Sequence, residues 1–437
     1  MSVAATLADT PDDSRTAATH AIMDWCGVAV AGAAEPLAAM LVATFGGSGS
    51  AALIGHAKTA SAHDAAMING AIGHALDYDD VHPVIGHPSA AIAPALLALA
   101  DERRTTGADF LLAYIAGYEA AGRVGAAVMP THYEKGFHST GTVGSIGAAV
   151  AAARLLGLDV DATARAIALA ATQAAGLKAM FGTMAKPLHA GKAAANGIIA
   201  AKLAAAGFTA APDALEADQG FLAVLAPRAN REASRHVSVL PEFGSYVRGN
   251  LYKYHASCYL THSALSALAG LRRDHGLEAP DIASVQIIVP KSHFSVCNIA
   301  EPRSGLESKF SLRHVGALAL SGAETGDTAT FSDEAALSPL TARLRELVEV
   351  QGAEHPGSWA EVLVKTVDGR NLDRRADVGV PSQRLDEERT ALKAKFDALL
   401  RPRLGGLRKG AERLGDMILA IEMLDDAAVL PQLMRAA

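Results

Sequence analysis

The sequence predicts a mainly α fold: a large all-helical domain, discontinuous in sequence, with a smaller α+β domain inserted into it. Three observations point there. Half of the 437 residues are apolar while only 5% are aromatic, and the excess is mostly alanine, which favours helices packed closely through small side chains. Alanine-rich segments separated by Gly, Pro and Asp/Thr run from residue 13 to about residue 207. β-branched runs enter later, and long charged amphipathic segments close the chain.

In order, "DERRTTGADFLLAYIAGYEAAGRV" (residues 101–124) and "DVDATARAIALAATQAAGL" (159–177) carry apolar residues at helical spacing behind Asp or Thr starts. "SVQIIVP" (284–290) and "WAEVLVKTVDGR" (359–370) read as strands, the second running into an Asp-Gly turn, with helix-like "KFSLRHVGALALSG" (309–322) between them. "RLDEERTALKAKFDALLRPRL" (384–404) and "KGAERLGDMILAIEMLDDAAV" (409–429) return to amphipathic helix, which packs most economically on the first bundle. Boundaries near Leu251 and Pro381 give a helical domain of residues 1–250 and 382–437 and an α+β domain of residues 251–381. No fixed-period repeat is present.

A formal charge of −7 and no basic run argue against nucleic acid as a partner. The cysteines, Cys26, Cys258 and Cys297, form no CxxC pair, so neither a disulfide framework nor a cysteine-rich metal site is expected. The first twenty residues lack a basic segment followed by an apolar stretch, and later apolar runs are interrupted before spanning length. A soluble cytoplasmic protein with no membrane partner is the expectation.

Chemistry concentrates in "ALDYDDVHPVIGHPSAAIAPAL" (75–96), which places Asp77, Asp79, Asp80, His82 and His87 within eleven residues. Such a cluster can bind a metal, move protons, or shape a turn. Four other stretches set Lys or His beside small residues: "EKGFHSTGTVGSIGAA", "GTMAKPLHAGKAAANG", "YKYHASCYLTH" and "ESKFSLRH". His138 and Ser139 fall where a loop should turn into a helix, whose first N–H groups can meet an anion. The plainer alternative makes His138 a cap and Gly141, Gly144 and Gly147 helix-packing positions. Lys186, with His189, Lys192 and Asn196 following on one possible helical face, makes an electropositive spot or a solvated helix start. Lys253, His255, Cys258 and His262 fall at the expected domain junction, a preferred place for ligands, or form a hinge with incidental polar residues.

Taken together these motifs resemble the MmgE/PrpD family, which includes 2-methylcitrate dehydratases, cis-aconitate decarboxylases and iminodisuccinate epimerases. The resemblance runs through "IMDWCGVAVAG", "NGAIGHALDYDDVHP…GHPSAAIAPAL", "GFHSTGTVGSIGAA", "KPLHAGKAAANG", "KYHASCYLTH", "ESKFSLRH" and "LKAKF", nearly the whole chain. It implies a helical domain with an inserted α+β lid, a homodimer, and a site without metal or cofactor. It also implies catalytic roles for Asp77, His87, His138, Lys186 and Lys253. His82, Ser89, His189, Cys258 and His314 are implied as substrate-binding neighbours. Cys258 stands where the decarboxylases tend to have a histidine and His314 where they tend to have a tyrosine, and both departures count against decarboxylation.

The family's reactions share one hard step, negative charge building beside a carboxylate. Fixed cations such as Lys186 and Lys253 suit it, and a histidine can move the proton. Asp77 would orient an imidazole, while Asp79, Asp80 and Pro83 shape the turn. The expectation is a cofactor-free lyase on a small polycarboxylate, of the 2-methylcitrate dehydratase kind; the alternatives are an epimerase of a dicarboxylate or a cis-aconitate decarboxylase. A metal-dependent hydrolase using Asp77, Asp79, His82 and His87 leaves the lysines unexplained, and a polycarboxylate-binding protein without chemistry is a third class.

Overall fold

The computed structural model describes residues 10–226, 242–401 and 408–435. The parts of the expected helical domain at residues 1–9, 227–241, 402–407 and 436–437 lie outside these, as does the end of the helix expected to run to Leu404. The N-terminal half is a bundle of α1 (Asp12–Gly32), α2 (Pro36–Phe45), α3 (Ala62–Gly73), α4 (Pro88–Glu102), α5 (Gly107–Val128), α6 (Ser139–Leu156), α7 (Val160–Ala171) and α8 (Ala185–Ala205). Starts follow side-chain capping: Ser61, Thr106 and Asp159 accept from the backbone N–H three residues on, satisfying donors that the helix leaves free. Nearly every residue of α4 and α6 is buried. Helices apolar all round belong inside such a bundle.

Small residues set the spacing. α8 packs on α3, α4 and α6, and α6 also on α4 and α5. A Cβ at Gly70 of α3 would lie 2.8 Å from Cα of Gly191 in α8, and one at Gly144 of α6 would lie 2.9 Å from Cβ of Ala91 in α4. The packing role open for Gly144 is thus realised.

A short hairpin, β1 (Ala51–Leu53) and β2 (His56–Ala60), interrupts the helical series. It is too short to leave a periodic signal. The second sheet has order β4-β3-β5-β6, formed by β3 (Ile282–Pro290), β4 (Val348–Ala353), β5 (Trp359–Thr366) and β6 (Asn371–Asp377). β3 runs parallel to β4 and antiparallel to β5, and β5–β6 is the hairpin whose Asp-Gly turn the sequence signals. β4 carried no such signal: "VEVQGA" is an edge strand with only Val348 fully buried. Val285, Ile287, Val289, Ala360, Val362 and Val364 form the buried face, which α9 (His262–His275) and α10 (Leu312–Ser321) cover. The chain then returns through α11 (Leu385–Leu400), which packs on α1, and α12 (Arg408–Leu419), which packs on α1 and α11.

No single helix among the described residues is long and apolar enough to cross a membrane. The pair α1–α2 passes on length and composition but bends by 86°, and α1 is almost wholly buried in the bundle.

Candidate active site

Three helices begin at one place. His87 is the N-cap of α4, His138 the N-cap of α6, and Lys186 lies in the first turn of α8. His74 caps the C-terminal end of α3, and the loop that follows carries Asp77 in a left-handed conformation, φ 50°. That conformation is disfavoured for most side chains, Asp being among the few that visit it. Lys253 comes from the segment before α9. Free N–H groups and the positive dipole ends of α4, α6 and α8 therefore face a shared anion-favouring region.

Asp77 is the hub. Its Oδ1 accepts from Lys186 Nζ at 2.8 Å and from Lys253 Nζ at 3.0 Å, with His87 Nε2 at 3.5 Å. Lys186 Nζ also lies 2.8 Å from Nε2 of His74, whose Nδ1 lies 2.8 Å from Asp79 Oδ1. A carboxylate only accepts, so His74 carries its proton on Nδ1 and offers Nε2 to the ammonium. Asp79 Oδ2 is 3.2 Å from His87 Nδ1, within ion-pair range but off the line of a hydrogen bond. The His74 and His87 rings sit 4.3 Å apart, and His138 lies 6.1 Å from His74. His138 and His189 share a hydrogen bond between their Nδ1 atoms at 3.1 Å. Phe181 and Phe310 close over Lys186 at 5.5 and 5.6 Å.

Burial and charge set the protonation states. Burial alone would raise the Asp77 carboxyl, but Lys186, Lys253 and His87 outweigh it and hold the group well below the usual range. Asp79 is likewise held ionised, against burial, by His74 and His87. Burial lowers His74 to about 3 although Asp79 opposes the shift. His87 and His138 are lowered by burial as well, His138 further by Lys186. The resting site thus holds two aspartates, two ammonium groups and neutral imidazoles able to take up a proton.

Of the residues expected at the site, Asp77, His87, His138, Lys186, Lys253 and His189 are brought together. Cys258 sits at its edge as a free thiol, hydrogen-bonded to the free thiol of Cys297 and near enough to Lys253 and Asp77 to feel their charges. The structure places the others elsewhere. Ser89 bonds Asp80 Oδ2 and the Tyr114 hydroxyl inside the bundle. His82 packs edge-on against Tyr118 and tilted against Tyr246, and His314 Nδ1 lies 3.3 Å from Arg345. Lys192 is exposed while Asn196 is buried on Ser145 and the Gln173 carbonyl, so of the two lysines in that stretch Lys186 is the one that brings its charge to the site. One cluster member was not foreseen: His74 gave no signal beyond standing three residues before Asp77. Asp79, read as a turn former or, in the hydrolase alternative, as a metal ligand, bridges two histidines. Asp80, also read as shaping the turn, is a buried acceptor for Ser89 and Asn250.

One ligand atom from each of His74, Asp77, Asp79 and His87 falls within a 4.8 Å span, a spacing that a metal ion could bridge. The Lys186 ammonium already holds His74 Nε2 and Asp77 Oδ1, so a cation of the protein's own stands where a metal would draw its ligands. His82 of the hydrolase alternative lies outside this group.

Fold and site together define an enzyme: a helical bundle with a sheet-bearing insert and a buried cluster of carboxylates, ammonium groups and imidazoles at converging helix starts. The MmgE/PrpD N-terminal domain matches residues 2–233 and the MmgE/PrpD C-terminal domain residues 255–419. The chain belongs to the MmgE/PrpD family. It is 29% identical to the cis-aconitate decarboxylase of Homo sapiens over 393 residues, 85% of this chain and 79% of that protein. It is 32% identical to the cis-aconitate decarboxylase of Aspergillus terreus over 283 residues, 61% of this chain and 57% of that protein. Enzymes of lyase type are thus its relatives.

Proposed function

We propose that this chain is a lyase that acts on a small polycarboxylate beside one of its carboxylates, without a metal or organic cofactor. The observation that carries the proposal is the pair of ammonium groups, Lys186 and Lys253, converging on Asp77 Oδ1 next to neutral His87. Preorganised cations in a dry site stabilise negative charge developing on a substrate carbon far better than water does. The helix starts at His87, His138 and Lys186 would hold substrate carboxylates. His87, with Asp77 and Asp79 facing its two ring nitrogens, would take up and return the proton.

Decarboxylation of a cis-aconitate-like acid is the reaction to test first, because the relatives above bear that name. The bond to the departing carboxylate breaks, carbon dioxide leaves, the electron pair stays on carbon, and an imidazole that has first taken up a proton from water passes it to that carbon. Dehydration of a 2-methylcitrate-like acid is the second reading, favoured by Cys258 at the edge of the site, where the decarboxylases tend to have a histidine; the departure at His314 carries less weight, because that side chain turns to Arg345. There a base takes the C–H proton while an acid protonates the departing hydroxyl. A homodimer accompanies both readings; light scattering returning the 45.0 kDa monomer mass would refute it.

Incubation in deuterated water with cis-aconitate, citrate, 2-methylcitrate and iminodisuccinate, followed by NMR, separates the outcomes. Carbon dioxide with an itaconate-like product supports decarboxylation, and water loss with a new alkene signal supports dehydration. Deuterium at a stereocentre without loss of a fragment supports an epimerase. Binding with no change in any acid sinks the lyase proposal.

A further inference from the structure

Three lysines from distant parts of the chain converge on three consecutive carbonyls of one loop. Lys309 Nζ donates to the Leu76 carbonyl at 2.7 Å, Lys253 Nζ to that of Asp77 at 2.6 Å, and Lys395 Nζ to that of Tyr78 at 2.7 Å. All three lysines are buried. Between the outer two carbonyls stands Asp77, the one non-glycine residue with positive φ among the described residues. Lys309 precedes α10, and Lys395 lies on α11.

A buried carbonyl needs a donor, and this loop belongs to neither a helix nor a sheet that could supply one. Lysine meets the need at a distance, because its long stem reaches in from a neighbouring element. Lys395 is itself fixed: its Nζ donates to Asp24 Oδ1 at 2.7 Å and lies 4.0 Å from the centre of the Tyr78 ring. The Lys309 backbone is tied in turn, its carbonyl accepting from Cys258 N at 2.9 Å. The Lys309 and Lys395 ammonium groups thus bond loop carbonyls rather than the Asp77 carboxylate.

We infer that Lys309 and Lys395 are positioning residues for the reaction proposed above: together with Lys253 they clamp residues 76–78 in the backbone path that aims the Asp77 carboxylate at Lys186, Lys253 and His87. The inference rests on that site being the reacting one. Helical bundle, insert and returning α11 each contribute to the clamp, so the hub carboxylate is aligned only when all three segments are packed.

The test uses full-length Lys309→Met and Lys395→Met proteins, with Lys186→Met as control. The direct readout is the Asp77 backbone in crystal structures of wild type and variants: φ positive in the wild type and relaxed to negative values in each variant is expected. On the acid that the wild type consumes, kcat is expected to fall about tenfold or more, with KM within about threefold, because a small misplacement of a reacting group costs rate rather than binding. Lys309→Arg and Lys395→Arg, which keep a charged donor, should recover part of that kcat. If a methionine variant does not fold, the arginine variants are compared directly with wild type, and a shifted Asp77 with reduced kcat is expected. Folded variants with an unmoved Asp77 and wild-type kcat overturn the clamp, provided Lys186→Met is inactive. An active Lys186→Met overturns the site itself instead.

Discussion

The ammonium of Lys186 lies 2.8 Å from Oδ1 of Asp77, although 109 residues separate the two in the chain. Lys186 is placed by the first turn of α8 and Asp77 by the loop after α3, and these helices cross closely enough that glycines stand at their contact. The central ion pair of the site is therefore a consequence of small residues in the bundle.

Lys186→Met and Lys253→Met should each lower turnover about a hundredfold or more, the scale for losing a preorganised charge-stabilising group. Each leaves Asp77 one remaining ammonium, so the melting temperature should fall by less than for a buried carboxylate stripped of all partners. NMR turnover assays with thermal melts check both; wild-type turnover in both variants refutes the assignment.

Asp79→Asn should lower kcat while leaving KM nearly unchanged. Asparagine can still bond one histidine but no longer fixes the His74 tautomer by charge, so Nε2 ceases to be a reliable acceptor for Lys186. The expected loss is about tenfold to a hundredfold, the range for groups that orient others. Steady-state kinetics decide; an unchanged kcat would return Asp79 to a turn-forming role.

Acid should destabilise the fold well before the carboxylates titrate. Burial lowers His82, His255 and His314 to about 4 and His74 to about 3. The unfolded chain binds protons at these histidines from about pH 6.5 downward while the native protein does not, so their stability contribution is present above that pH and is lost as pH falls. Asp24, raised by burial to about 6 against the pull of Lys395, acts oppositely, as do Asp80, Asp101 and Glu119, which burial also raises. These acids are outnumbered by the ten histidines that burial lowers. Melting temperatures from pH 7 to 4.5 should decline steadily, and a flat profile contradicts the buried-neutral histidines.

Chelation should leave activity intact. Lys186 engages His74 and Asp77, two of the four residues that could hold an ion, and an ammonium there disfavours a second cation. Elemental analysis finding one transition metal per chain, lost together with activity on chelation, would reverse this.

Much of the fold was legible because alanine-rich periodicity, capping residues and β-branched runs are local signals. They marked the helix beginning at Ser139, the strand ending at Pro290 and the Asp-Gly hairpin. What they missed were β4, an edge strand with one fully buried residue, and the three-residue strand at Ala51–Leu53. Local patterning needs several alternating positions to rise above composition, and neither segment has them.

At the site, residue types and motif order singled out Asp77, His87, His138, Lys186 and Lys253, since acids, imidazoles and lysines beside small residues stand out against an apolar chain. They did not reveal that Asp79 bridges His74 and His87, that His314 turns to Arg345, or that Lys309 and Lys395 reach the Asp77 loop. The first spans only five and eight residues but depends on how one loop folds back on itself, and the others join elements tens to hundreds of residues apart. The direction a buried side chain takes is set by which carbonyl or carboxylate in the packed interior lacks a partner, and that exists only once the helices have met.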